Sequence, residues 1–185
     1  MNDRKATAKA LQQLIDRYQS DYVSQTGEPH VVVIDQDWPS PCVPSDAEEG
    51  SDSQWHAVER DDADQFAELE QAMSVDLHPS GKAYWNALYG AGITIESEIG
   101  AVELLLPWNQ DDYVRFLQNL TGHLLTQKRF KLEPSVFIGV AVDSELVVSV
   151  ADDGSIVAEL PGRKPSHTLA PDLMEFLQSA KPLIL

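Results

Sequence analysis

The chain has 185 residues, 43% of them hydrophobic, which is enough to bury one core without disulfide or metal staples. Its 30 acidic residues against 13 basic ones give a formal charge of −17, a sign that repels nucleic acid phosphates and anionic lipid and points to basic partners. A single cysteine, Cys42, excludes an internal disulfide and a cysteine-based zinc cluster, and fits a reducing cytoplasm.

In chain order, Leu11, Leu14, Ile15, Tyr18 and Tyr22 recur at helical spacing until Gly27 and Pro29, predicting a first helix that packs on a core. An irregular stretch follows, with an apolar run at Val31 to Ile34, the proline-rich Trp38 to Pro44 and an acidic loop, Ser45 to Ser53. Its prolines remove backbone donors, which places it at the surface as a docking loop. Trp55 to Val58 is expected as a short strand, and Asp62 and Gln65 have capping-box spacing before a helix carrying Phe66, Leu69 and Met73. Gly81 to Tyr89 is expected as a short aromatic helix, ahead of strands at Ile93 to Glu96 and Ile99 to Leu106.

The clearest helix runs from Gln110 to Lys131, with Asn109 as N-cap, Asp111 and Asp112 at its positive end and Lys128, Arg129 and Lys131 at its negative end. Its core stripe is Tyr113, Phe116, Leu117, Leu120, Leu124 and Leu125. Strands are expected at Val136 to Val142, Leu146 to Ala151 and Ser155 to Leu160, the last two joined through Asp152-Asp153-Gly154, and a final helix opens with Pro171 at its first position. Helices and strands without strict alternation predict one α+β domain, residues 1–185, on a largely antiparallel sheet. No apolar stretch is long enough to span a membrane, and the start carries no export signal.

Motifs for chemistry are weak. Gly90-Ala91-Gly92 lacks the third glycine of a dinucleotide loop and precedes a strand; the five histidines show no ligand spacing; His123 reads as a packed structural residue; and acids after Cys42 disfavour a thiolate. A non-enzymatic protein with no cofactor and no metal is the resulting expectation. Charge patterning is stronger. Between Asp21 and His78 the sole base is Arg60, amid a run of carboxylates. From this stretch the candidate partner-binding residues are Asp35, Asp37, Glu48, Glu49, Asp52, Glu59, Asp61, Asp62 and Glu70, with Trp38 or Trp55 as aromatic anchor.

Four blocks identify a relationship: Trp38-Pro39-Ser40-Pro41-Cys42, His56 to Arg60, Asn119 to Arg129 with its Gly-His-Leu-Leu-Thr-Gln-Lys-Arg string, and Ser166 to Ala170 continuing through Glu175-Phe176-Leu177. In order and spacing they resemble the Syd family of SecY-interacting proteins, within the SUKH-like superfamily of α+β domains. The resemblance implies binding to basic cytoplasmic loops of SecY, with regulation or monitoring of the assembly state of the protein translocase. Together with the acidic charge this leads to the expectation of a cytoplasmic protein attached loosely and peripherally to the inner membrane, through the protein partner rather than lipid, with no nucleic acid partner. An immunity-type protein neutralising a basic toxin nuclease is the alternative that an acidic face leaves open.

Overall fold

The computed structural model describes residues 2–61 and 64–185. Helix α1 (Asn2–Thr26) leads to strand β1 (Val31–Val33), β2 (Asp52–Gln54) and β3 (Val58–Glu59). Helices α2 (Phe66–Met73) and α3 (Pro79–Trp85) precede β4 (Leu88–Tyr89), β5 (Ile93–Ser97) and β6 (Gly100–Leu104). The long helix α4 (Gln110–Phe130) is followed by β7 (Val136–Ala141), β8 (Val147–Val150), β9 (Ile156–Glu159), β10 (His167–Ala170), α5 (Leu173–Ser179) and β11 (Lys181–Pro182).

Seven strands form one sheet in the order β10-β9-β8-β7-β6-β5-β11, and two separate ribbons pair β1 with β2 and β3 with β4. Every pairing is antiparallel, so the expected α+β architecture stands. Helix α1 buries Leu11, Leu14, Ile15 and Tyr18, as its spacing predicts, and lies against α3, α5 and the β5–β11 side of the sheet.

Aromatic rings join α4 to the sheet. Trp85 stacks on Phe116 with centroids 3.4 Å apart and planes 11° from parallel, and both rings meet Phe137 of β7 edge-on. The Trp85 indole donates to the Phe137 carbonyl at 2.8 Å, which satisfies its polar edge inside the core. Arg60, the lone base of the acidic stretch, is buried here: its guanidinium lies 3.6 Å from the Tyr113 ring centre and donates to the Trp85 carbonyl at 2.6 Å. Buried in this way, it contributes little positive charge to the surface of that stretch.

Several local expectations shift. The aromatic helix begins at Pro79, where the His78 side chain accepts from the Ser80 amide, and ends at Trp85, because Leu88 and Tyr89 pair with Glu59 and Val58. Trp55 to Val58 is not one strand: β2 ends at Gln54 and β3 starts at Val58. At α2 the Gln65 side chain makes no cap bond; Asp64 Oδ1 accepts from the Phe66 amide instead, and Asp62 lies outside the described residues. Pro171 precedes the last helix, whose N-cap is Asp172. Leu125 is exposed, since Leu124 beside it takes the inward direction and adjacent helical residues diverge. Strands β10 and β11 were not expected.

Two glycines give a stability test. A Cβ on Gly139 would sit 2.8 Å from the Glu103 carbonyl oxygen of the neighbouring strand, whereas one on Gly122 in α4 meets nothing within 4 Å. Gly139→Ala is expected to cost about 1–3 kcal/mol and Gly122→Ala to gain about 0.5–1 kcal/mol, read from urea unfolding midpoints.

Candidate functional site

The acidic candidates gather chiefly at one end of the β1–β2 ribbon. Val33 pairs with Asp52, Ile34 exchanges backbone bonds with Gly50 and Ser51, and the chain then turns through Asp35, whose Oδ1 accepts from the Asp37 amide at 2.9 Å. Glu49 Oε2 accepts from the Gln36 amide at 2.7 Å and ties the two sides of the loop together. Asp35, Asp37, Glu48, Glu49 and Asp52 are all exposed, and among the described residues none has a Lys or Arg within 4 Å.

Beside this acidic end lies a cleft of about 290 Å³, walled by Val33, Ile34, Trp38, Pro39, Val43, Pro44 and Trp108. Val33 is 68% exposed and Trp38 is half-buried, with the Arg115 guanidinium 4.5 Å from its ring centre. The cleft is fixed to the start of α4. Ser40 Oγ donates to the Trp108 carbonyl, and Asn109 Nδ2 donates to the Pro39 carbonyl at 2.8 Å while its Oδ1 accepts from the Asp112 amide. Sequence reading missed Trp108 as a cleft wall and Arg115 as a partner of Trp38; a signal for the first lay in Trp108-Asn109, where a capping residue follows an aromatic.

The remaining candidates separate from this cluster. Trp55 cannot anchor a partner: it is 1% exposed, and its indole donates to His30 Nδ1 at 3.0 Å. Glu59 and Asp61 line a different cleft beside Arg4 and Lys5. Glu70 is committed internally, paired with Lys82 at 2.8 Å and accepting from the Leu77 amide. Asp62 is not among the described residues.

The other groups with potential chemistry are bound into the fold. Burial pushes the Cys42 thiol upward, away from the reactive thiolate. His123 is a packed residue, as expected from sequence, and its Nε2 lies 2.9 Å from Ser135 Oγ and 3.5 Å from Glu159 Oε1. Ser135 Oγ donates to Glu159 at 2.6 Å and accepts from Gln127 Nε2, so its proton is directed to the carboxylate and His123 Nε2 must act as donor. That orientation is the reverse of a serine handing its proton to a histidine base. Burial raises the Glu159 pKa, but hydrogen bonds from His123 and Ser135 outweigh it and hold the carboxyl below its usual range. Among the described residues no group of three His, Cys, Asp or Glu side chains could hold a metal, and no helix is long and apolar enough to cross a membrane.

With this geometry in place, comparison with known proteins is informative. The family model described as Syd protein (SUKH-2) matches residues 8–182. Protein Syd of Shewanella loihica is 37% identical over 183 residues, covering 95% of this chain and 82% of that protein. Protein Syd of Pseudoalteromonas translucida is 35% identical over 171 residues, covering 91% and 95% respectively, and that of Pseudoalteromonas atlantica is 30% identical over 164 residues.

The buried carboxylate yields a pH test. Because the folded pKa of Glu159 is depressed, its stabilisation is full above the unfolded value of about 4.3 and is lost as pH falls through the folded value. Glu159→Gln is expected to lower stability by about 1–3 kcal/mol at neutral pH, with the deficit closing below about pH 4 in a urea-unfolding series.

Proposed function

The chain belongs to the Syd family, and from that premise we propose that it binds SecY, docking the acidic end of its β1–β2 ribbon on basic cytoplasmic loops of that membrane protein. The observation that carries the reading is the group Asp35, Asp37, Glu48, Glu49 and Asp52, exposed and, among the described residues, without a Lys or Arg within 4 Å, beside an apolar cleft that includes Trp38. Cytoplasmic loops of membrane proteins carry excess Lys and Arg, so the two surfaces are complementary. The cleft gives an apolar side chain of the loop somewhere to go, with Trp38 as the aromatic contact.

Attachment of this kind is peripheral and is carried by the protein partner. It places the protein at the cytoplasmic face of the inner membrane, where it senses SecY loops left uncovered and so monitors or regulates assembly of the translocase. Long-range attraction speeds the encounter and selects the partner, and it weakens as salt shortens the Debye length toward about 8 Å at physiological strength. The family match favours this reading over the neutralisation of a basic toxin.

The test uses acids whose carboxylates, among the described residues, hold no loop hydrogen bond. At physiological salt, Asp37→Lys/Glu48→Lys/Asp52→Lys is expected to reduce recovery with SecY-containing membranes at least roughly tenfold, and wild-type recovery is expected to fall as salt is raised further and to drop at least as far when SecY is absent. Recovery indifferent both to SecY and to these charges would sink the proposal.

A further inference from the structure

The far end of α4 has the opposite character. Four exposed cations, Arg129, Lys131, Arg163 and Lys164, meet around Phe130, which is 56% exposed. The 160–163 turn, closed by the Arg163 amide on the Leu160 carbonyl, brings Gly162 against Phe130 so closely that a Cβ there would lie 3.1 Å from its ring. Lys131, Arg163 and Lys164 share one cavity wall, and the Arg129 guanidinium lies 5.7 Å from the Phe130 ring centre. Leu125 and Leu160 are also exposed. Glu133, Asp152 and Asp153 also face that cavity, yet among the described residues none of the four cations has a carboxylate within 4 Å. Lys128 is turned away to the Met73 carbonyl.

We propose that this patch is a lipid-facing surface: Arg129, Lys131, Arg163 and Lys164 contact anionic headgroups while Phe130 enters the interfacial layer. An exposed aromatic ringed by Lys and Arg is the chemistry of a membrane-interface contact, and a protein held at a membrane protein lies within reach of the anionic leaflet. The net charge of −17 does not describe this patch, because the cluster of Asp35, Asp37, Glu48, Glu49 and Asp52 lies beside the start of α4, about 30 Å away along the helix. The choice of a bilayer as occupant rests on the SecY reading above. The protein partner supplies the affinity, and the lipid contact sets the orientation in which the acidic end meets its loops.

Flotation of the full chain with protein-free vesicles tests the contact independently of SecY. At low salt, wild type is expected to float with vesicles containing phosphatidylglycerol and to remain behind with pure phosphatidylcholine. Arg163→Glu/Lys164→Glu is expected to weaken flotation at least roughly tenfold, and Phe130→Ser to weaken it severalfold, with unchanged circular dichroism. The variant with Asp37, Glu48 and Asp52 reversed should float at least as well as wild type, which separates this test from the SecY one. No flotation on anionic vesicles, or flotation unaffected by the Arg163 and Lys164 changes, overturns the proposal. So does capture by soluble polyglutamate that depends on the cations but not on Phe130, because it would make the patch a site for acidic protein.

Discussion

The stacking of Trp85 on Phe116, with Phe137 edge-on to both, joins the long helix α4 to the sheet. It presses α4 against β7, with the Trp85 indole hydrogen-bonded to the sheet and Arg60 clamped over Tyr113, so the long helix cannot roll or slide without exposing several rings at once. Rings of this size dominate the burial energy of a core, and Phe137 meets both edge-on, a geometry that adds about 0.5–1.5 kcal/mol per pair beyond the area removed from water. Both charged surfaces hang from the ends of that helix. Its start holds the proline-rich loop through Trp108 and Asn109, and its end holds Phe130 against the 160–163 turn. The separation of acidic and basic surfaces is therefore a property of the core, transmitted by a rigid rod.

The charge arrangement also follows the helix's own electrostatics. Asp111 and Asp112 stand in the first turn and Lys128 and Arg129 in the last, the placement that an α-helix dipole favours. The surrounding loops extend that polarity well beyond the helix: Asp35, Glu48 and Asp52 at one end, Arg163 and Lys164 at the other. A strongly acidic protein can thus present a local cationic face, because net charge is a sum and recognition samples a few ångströms of surface.

The sequence was most readable where one element answers to one physical signal. Asn109 at a helix start, acids and bases at the proper ends, and apolar residues at three- and four-residue spacing predicted α4 nearly to the residue. The glycine after Asp152-Asp153 likewise marked the β8–β9 hairpin. What failed had weaker local signals. Strands β10 and β11 are short edge pieces, one containing a proline; β10 folds back on the preceding β9, and β11 exists because β5, distant in sequence, offers it a partner. Trp55 sits among polar residues that suggest exposure, yet packing of α1 around His30 draws it inward. For the site, composition located the acidic stretch but could not say that Glu70 is spent on Lys82, that Glu49 serves the loop, or that Arg60 is buried. Those assignments depend on which side chains meet across the fold.

Asn109 has a double role whose consequence lies in entropy. One amide group caps the helix with its oxygen and grips the Pro39 carbonyl with its nitrogen, so the first turn of α4 and the loop bearing Trp38 open or close together. Prolines at 39, 41 and 44 restrict the same loop before any contact forms. Much of its conformational freedom is surrendered during folding, and an incoming polypeptide has correspondingly little left to freeze.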